Sequence, residues 1–392
     1  MDKKHVILIG LLGTLLLGII MGYSSEATIQ SAPVDQEGTQ QAVKITEAEK
    51  IALGKAIFFD ANLSEPSGQS CASCHTPSAG FANPIREFPT SQGAVVGLFA
   101  KRNAPTIAYS QYSPEFYFDG NDYIGGQFLD GRALTLETQA GGPPLDPVEM
   151  HNASIQAYVS KVARASYSNE FKRIYGQDIF NDANKTLAAI GDAIATYERT
   201  SELSAFSSKF DAFQTGKATF TAQEKLGLDI FISKGKCFTC HPIINENLTT
   251  VPALFSEYGY DNLGVPKNPN NKFYTLSKKY NPDGADFIDI GLAGNPRVIT
   301  DGRVAQSRGK FKTPTLRNVE ITGPYMHNGV FTTLKQVVSF YNTRDSNPSL
   351  WGAPEVPENV NKDLIGNLHL TKAEEDALVA FLMTLTDGYV VK

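Results

Sequence analysis

The strongest constraint on this chain is a pentapeptide pattern that occurs twice, as Cys71-Ala-Ser-Cys74-His75 and Cys237-Phe-Thr-Cys240-His241. The two copies use all four cysteines and two of the six histidines of the 392-residue chain. Two thiols three residues apart can each add across a vinyl group of one haem, and the histidine that follows is then held beneath the iron as its proximal ligand. Other uses of these residues explain less. A zinc site would have to join two cysteine pairs far apart in the sequence and would not require a histidine after each. A thioredoxin-like pair needs no such histidine, and disulfides would leave both idle. Two covalently attached haem c groups are therefore expected, on Cys71, Cys74, His75 and on Cys237, Cys240, His241.

A weak internal repeat surrounds the two motifs. Thr46-Glu-Ala-Glu49-Lys50-Ile51-Ala-Leu53 parallels Thr221-Ala-Gln-Glu224-Lys225-Leu226-Gly-Leu228. Each is a T-x-x-E capping box opening an amphipathic helix that leads into a Cys-x-x-Cys-His. A third box, Thr371 to Glu374, opens a last helix with Leu378, Val379, Phe381, Leu382 and Leu385 on its apolar positions. Helix, haem-binding loop and closing helix is the layout of a small cytochrome c domain. The expected fold is mostly α, with two cytochrome c-like haem domains and long wrapping loops. Residues 45–215 would form the N-terminal domain and residues 216–392 the C-terminal one. Asn184 to about Ala218 reads as a helix followed by a polar connection. Segments 262–272 and 346–361, rich in Pro and Asn, read as surface loops.

The chain begins Met-Asp-Lys-Lys-His and then runs without charge from Val6 to Tyr23, which reads as an export signal. Cleavage after the small-residue site at Ser25-Glu26-Ala27 would release the protein into the periplasm. Without cleavage the same helix would anchor it to the membrane. Residues 1–27 are thus signal or anchor, and 28–44 a linker. With 35 Lys+Arg against 41 Asp+Glu, the formal net charge of -6 offers phosphates no general attraction, so nucleic-acid binding is not expected.

Further motifs carry a resemblance. They are Phe58-Phe59-Asp60 with Leu63-Ser64, Arg102-Asn103-Ala104-Pro105-Thr106, Asp130-Gly131-Arg132 with Gln139 and Glu149-Met150, Phe311-Lys-Thr-Pro-Thr-Leu-Arg317-Asn318-Val319, and Pro324-Tyr325-Met326-His327-Asn328-Gly329. In this order, from about Thr46 to Gly388, the chain resembles the bacterial dihaem cytochrome c peroxidase/MauG family. By residue type alone, Glu149 in its Pro- and Gly-rich stretch reads as a solvated surface residue. The resemblance instead implies that Glu149 is the acid–base of the peroxide pocket, with Gln139 and Pro143 lining it. It assigns the first haem to peroxide chemistry and the second to electron supply. A desolvated pocket would raise the Glu149 carboxyl towards the range useful for shuttling a proton. The family also holds calcium between its domains through carbonyl groups; the matching positions are Asn103, Thr322 and Pro324, although a structural Asn in a turn explains Asn103 equally well. Arg102 and Arg317 are candidate haem-propionate partners, or structural loop anchors. His327 could anchor its loop or a propionate, or lie on the electron path.

Three positions depart from the peroxidase pattern. No histidine lies between His75 and His151, and Ser91 stands where many family members carry a histidine that blocks the first iron. An open first haem that needs no reductive activation is expected, with His151 as a rival ligand. Tyr341 matches the sixth ligand of the second haem, where peroxidases have Met and MauG-like members Tyr; Met326 is its rival, and helix packing the bland alternative for Tyr341. Leu129 replaces the tryptophan usual between the haems, and the one tryptophan, Trp351, is elsewhere. Tyr117 or Tyr123 could substitute for it. The expected activity is reduction of hydrogen peroxide to water with electrons from a small periplasmic c-type cytochrome or cupredoxin. A MauG-like oxidase acting on a protein substrate and a non-catalytic dihaem electron carrier are the rivals, and a homodimer is left open.

Overall fold

All three T-x-x-E signals open helices in the computed structural model, which describes residues 44–244 and 251–391. The expected export segment 1–27 and nearly all of the linker 28–44 lie outside the described residues. Thr46 caps the Glu47–Phe58 helix: its hydroxyl accepts from the Glu49 amide, and Glu49 Oε2 accepts from the Thr46 amide at 2.8 Å. Thr221 with Glu224 does the same for Ala222–Ile232, and Thr371 with Glu374 for Lys372–Met383. Each box satisfies two amides that would otherwise lack partners at a helix start.

The helices assemble into two clusters of similar plan. Glu47–Phe58 and Leu136–Ala140 pack on Ala183–Glu198. Ala222–Ile232 and Leu334–Thr343 pack on Lys372–Met383. Each leading helix crosses its partner at a glycine. A Cβ on Gly54 would lie 1.9 Å from the Ala193 carbonyl oxygen, and one on Gly227 would lie 2.0 Å from that of Ala377. Gly54→Ala and Gly227→Ala are each expected to destabilise the protein by about 1–3 kcal/mol through overpacking, read as an earlier denaturation midpoint.

The core of the second cluster is aromatic, with Phe210, Phe220, Phe231, Phe255 and Phe381 buried together. Phe210 belongs to the short Lys209–Gln214 helix, so that part of the polar connection sides with the C-terminal helices. Strand pairing beyond isolated bridges is limited, among the described residues, to Tyr117–Phe118 with Tyr123–Ile124 and Tyr260–Asp261 with Phe311–Lys312, both antiparallel. The rest is long connections, as expected for this mostly helical class. From Thr46 onward the chain clusters as one unit, and no described helix is long and apolar enough to cross a membrane.

The Asn-rich segment 262–272 is not the surface loop its composition suggests. Asn262, Asn268 and Asn271 are buried. Their amides donate to the carbonyls of Val356 and Glu358, of Asn328, and of Lys101, respectively. Irregular backbone drawn inside must satisfy its carbonyls, and these side chains do so. Segment 346–361 is broken by a one-turn helix, Pro348–Trp351.

Candidate haem pockets

The two Cys-x-x-Cys-His motifs form the same local structure. Cys71–Cys74 is a single helical turn and Cys237–Thr239 a tighter one. The His75 and His241 amides close onto the carbonyls of Cys71 and Cys237, both at 2.9 Å. His75 Nδ1 lies 3.2 Å from the Phe81 carbonyl oxygen, and His241 Nδ1 lies 2.8 Å from that of Phe255. Both phenylalanines have left-handed backbone, φ 58° and 54°, which turns their carbonyls towards the rings. A carbonyl only accepts, so each Nδ1 carries the proton and each Nε2 is left free as a ligand. Burial pushes the basicity of both imidazoles down, that of His241 to about 4, which keeps them in the neutral form a metal requires. All four cysteines are free thiols. Above the motifs lie cavities of about 380 Å³ for the first and 220 Å³ for the second. Free paired thiols, oriented neutral imidazoles and roomy, mainly apolar cavities fit two haem c groups.

Glu149, Gln139 and Pro143 all line the first cavity, as do Cys71, Cys74 and His75. Gln139 comes from the Leu136–Ala140 helix, and Pro143 opens the turn that leads to Glu149. The Asp146 side chain caps that turn by accepting from the Val148 amide at 2.9 Å. The loop after the first motif closes against it. Gly93 faces the Val148 and Glu149 carbonyls so closely that a Cβ would lie 2.2 Å from the former, and the Ala94 amide donates to the Glu149 carbonyl at 2.7 Å. Burial pushes the Glu149 carboxyl up to about 8; Asp146 adds to the shift, while Arg132 and Lys101 oppose it. The charge of Glu149 in turn helps raise the Cys74 thiol, which places the carboxyl beside the haem attachment point.

His75 is the one histidine among the residues lining this cavity. Ser91 lines it with its hydroxyl buried beside the Cys74 thiol, whose rise it opposes. His151 does not line it; its Nδ1 is 3.1 Å from the Glu65 carbonyl oxygen, outside the pocket. Sequence reasoning missed two further acids lining this cavity, Asp146 and Glu198, the latter the last residue of the Ala183–Glu198 helix. Burial pushes the Glu198 carboxyl to about 8, and its Oε2 has no partner among the described residues. The signal for Glu198 was present: it stands four and eight residues after the buried Ile194 and Ile190, on an otherwise apolar helix stripe.

In the second cavity Tyr341 and Met326 both line the wall with Cys237, Cys240 and His241. Tyr341 projects from the Leu334–Thr343 helix on the face that also brings Leu334 and Val337 to the cavity. Burial, with Cys240 and Cys237 nearby, holds its phenol well above the usual range. His327 stacks on Phe311, with centroids 3.8 Å apart and planes 9° apart, and its Nε2 lies 3.6 Å from Glu355 Oε2. The His327 carbonyl anchors its loop by accepting from the Asn103 amide at 2.8 Å.

Leu129 lines both cavities, so an aliphatic side chain does occupy the wall between them. Tyr117 and Tyr123 line neither; Tyr123 donates to Asp301 at 2.7 Å, away from both pockets. The arginines are committed elsewhere. Arg317 lines neither cavity and pairs bidentately with Asp211, which corrects its expected place beside a propionate in favour of the loop-anchor alternative. Arg102 reaches the first cavity but is clamped by Asp289 and Asp130 at 2.6–2.7 Å. Asn103, Thr322 and Pro324 gather beside the second cavity. Asn103 Nδ2 donates to the Pro324 carbonyl at 2.6 Å, and its buried Oδ1 has no partner among the described residues, a donor set compatible with calcium.

The chain is similar to known proteins along most of its length. The family model described as di-haem cytochrome c peroxidase matches residues 48–219. Methylamine utilization protein MauG of Paracoccus denitrificans (strain Pd 1222) is 38% identical over 367 residues, covering 89% of this chain and 92% of its own. Cytochrome c551 peroxidase of Nitrosomonas europaea is 32% identical over 352 residues, covering 88% and 82%. The crystal structure of the diheme peroxidase BthA from Burkholderia thailandensis E264 superposes with a TM-score of 0.78 at 35% identity, covering 92% of this chain and 93% of its own. With two haem-attachment motifs, two matching pockets and relatives similar along most of its length, the chain belongs to the di-haem cytochrome c peroxidase/MauG family.

Proposed function

We propose that this protein is an exported peroxidase that reduces hydrogen peroxide to water in the periplasm, drawing electrons from a small c-type cytochrome or cupredoxin. The observation that carries the reading is a carboxyl raised to about 8 in a cavity whose one histidine is the proximal candidate, His75. Haems held by Cys71, Cys74 and His75 and by Cys237, Cys240 and His241 would supply the redox chemistry, with oxidant binding at the first site and electron storage at the second. Glu149 accepts a proton from one oxygen of the peroxide and returns it to the other, so that water leaves; two electrons and two protons balance the reduction of one peroxide to two waters. Gln139 and Pro143 shape the pocket around that carboxyl. Tyr341 is the proposed sixth ligand of the second haem, and Asn103, Thr322 and Pro324 the proposed calcium site.

A MauG-like oxidase is the second reading, favoured by Tyr341 on the second cavity and disfavoured by Leu129 in the wall between the pockets. Electron paramagnetic resonance of the oxidised protein at low temperature tests the assignment. One high-spin and one low-spin ferric haem are expected. Tyr341→Phe should perturb the low-spin signal alone, and Met326→Leu should leave it in place. The reverse pattern would assign the ligand to Met326. Two low-spin haems inert to peroxide would make the chain an electron carrier.

A further inference from the structure

The wall between the two cavities holds a charge that the mechanism above does not use. Among the residues lining both cavities, which include Asn103, Pro105, Leu129 and Thr313, Lys312 alone carries a charge. Its backbone is fixed from two sides. The Phe311–Lys312 strand pairs with Tyr260–Asp261, Lys312 opposite Tyr260, and the Lys312 amide donates to the Leu129 carbonyl at 2.9 Å. Its ammonium is held by neutral oxygens only, the Gly126 carbonyl and the Ser113 hydroxyl.

Asp130, Tyr260 and Glu257 are the titratable groups nearest to Lys312. Asp130, the acid that acts most on Lys312, is clamped by Arg102 at 2.6 Å and Arg132 at 2.8 Å. Tyr260, across the strand pair, donates to the Gly125 carbonyl at 2.6 Å. Glu257 takes the Thr313 hydroxyl at 2.8 Å through Oε1, while its Oε2 is buried without a partner among the described residues and burial pushes its carboxyl up to about 7. Burial pulls the lysine down to about 7, with Asp130 opposing. A cation so placed gains stability when negative charge arrives nearby and loses it when that charge departs.

We propose that Lys312 is a positioning residue shared by the two haem sites, whose single ammonium on their common wall makes both irons easier to reduce and couples electron arrival at either to the uptake of a proton. The inference rests on the reading that a haem fills each cavity. Coupling of this kind is reciprocal: whatever an electron does to the affinity of Lys312 for its proton, the proton does to the affinity of the iron for its electron. With Leu129 in place of an oxidisable ring, this wall offers an electron an aliphatic gap and one adjustable charge.

The test is spectroelectrochemical titration of both haems, from mildly acid to mildly alkaline pH, in the native protein and in Lys312→Met and Lys312→Arg. Haem content is counted first, and fewer than two haems in the native protein would overturn the two-haem reading itself. With two haems present, both midpoint potentials are expected to fall as pH rises through neutrality. The limiting slope is tenfold in the reduction equilibrium per pH unit, about 59 mV for a one-electron couple. Lys312→Met should lower both potentials at acid pH and flatten both slopes. Lys312→Arg, which keeps the charge at every pH, should hold the acid-side potentials and also flatten the slopes. If Lys312→Met fails to retain haem, the Lys312→Arg slopes decide. Glu149, Glu198 and Glu257, raised into the same range, account for a residual slope; a shift confined to one haem, or slopes as steep in both variants as in the native protein, overturns the proposal.

Discussion

Replacing Glu149 with glutamine is expected to lower peroxide turnover by about 10²–10⁴-fold while both haems stay attached. Glutamine keeps the size and hydrogen-bonding reach of the side chain but cannot take a proton, so the substitution removes the shuttle and little else. The pH profile gives a second reading. The carboxyl titrates near 8 because burial disfavours its charged form, with Asp146 adding to the effect. The proton-accepting form is the carboxylate, so native turnover should rise with pH through that region, and the rising limb should vanish in the variant. Stability should show the same group with the opposite slope. Between the unperturbed 4.5 and about 8 the folded protein binds a proton that the unfolded chain has lost. The Glu149 contribution to stability is therefore fully present at acid pH and is lost as pH rises through that window. Steady-state peroxide assays and denaturation at several pH values check both; unchanged turnover in the variant would remove Glu149 from the mechanism.

A larger structural effect is expected at Arg317. Its guanidinium is fully buried, pairs with Asp211 at 2.6 and 2.9 Å, and donates through Nε to the Ala253 carbonyl at 2.8 Å. It also lies about 5 Å from the Phe206 ring and close to those of Tyr109 and Phe255. Arg317→Met should cost about 3–5 kcal/mol, because it leaves the mostly buried Asp211 carboxylate without its partner. Burial alone would raise the Asp211 carboxyl, but Arg317 and Ser208 overcome that and hold it below its ordinary 3.8. A depressed folded value stabilises above the unfolded pKa and is lost as pH falls through the folded one, so native and variant should converge in strong acid. Phe255 packs on this guanidinium and also holds the His241 ring, so the second haem's spectrum should change as well. The milder substitution Arg317→Lys should keep only part of the stability, since an ammonium cannot reproduce the two-pronged pairing. A variant with native stability but a shifted haem potential would instead return Arg317 to a propionate role.

What the residues declare by themselves is what a few neighbouring positions can encode. The three capping boxes were legible because a Thr and a Glu three residues apart satisfy each other within one helical turn. The haem-attachment motifs were legible because both thiols and the imidazole that a porphyrin needs lie within five residues. Glu149, Gln139 and Pro143 were found through a resemblance rather than from their own chemistry, and folding brings all three to one cavity.

Only the tertiary structure decided the partners that lie far apart along the chain. Arg317 carries the same charge whether it meets a propionate or Asp211, 106 residues away, and no local pattern separates the two. The asparagines of 262–272 have the composition of a surface loop, yet they turn inward to satisfy carbonyls contributed by remote segments. Lys312 falls within a recognisable motif, but its place on the wall of both pockets exists only once Leu129 and the strand from Tyr260 have closed around it. Hydrogen bonding within a turn is written in adjacent residues, whereas desolvation and charge pairing depend on which distant segments exclude water together.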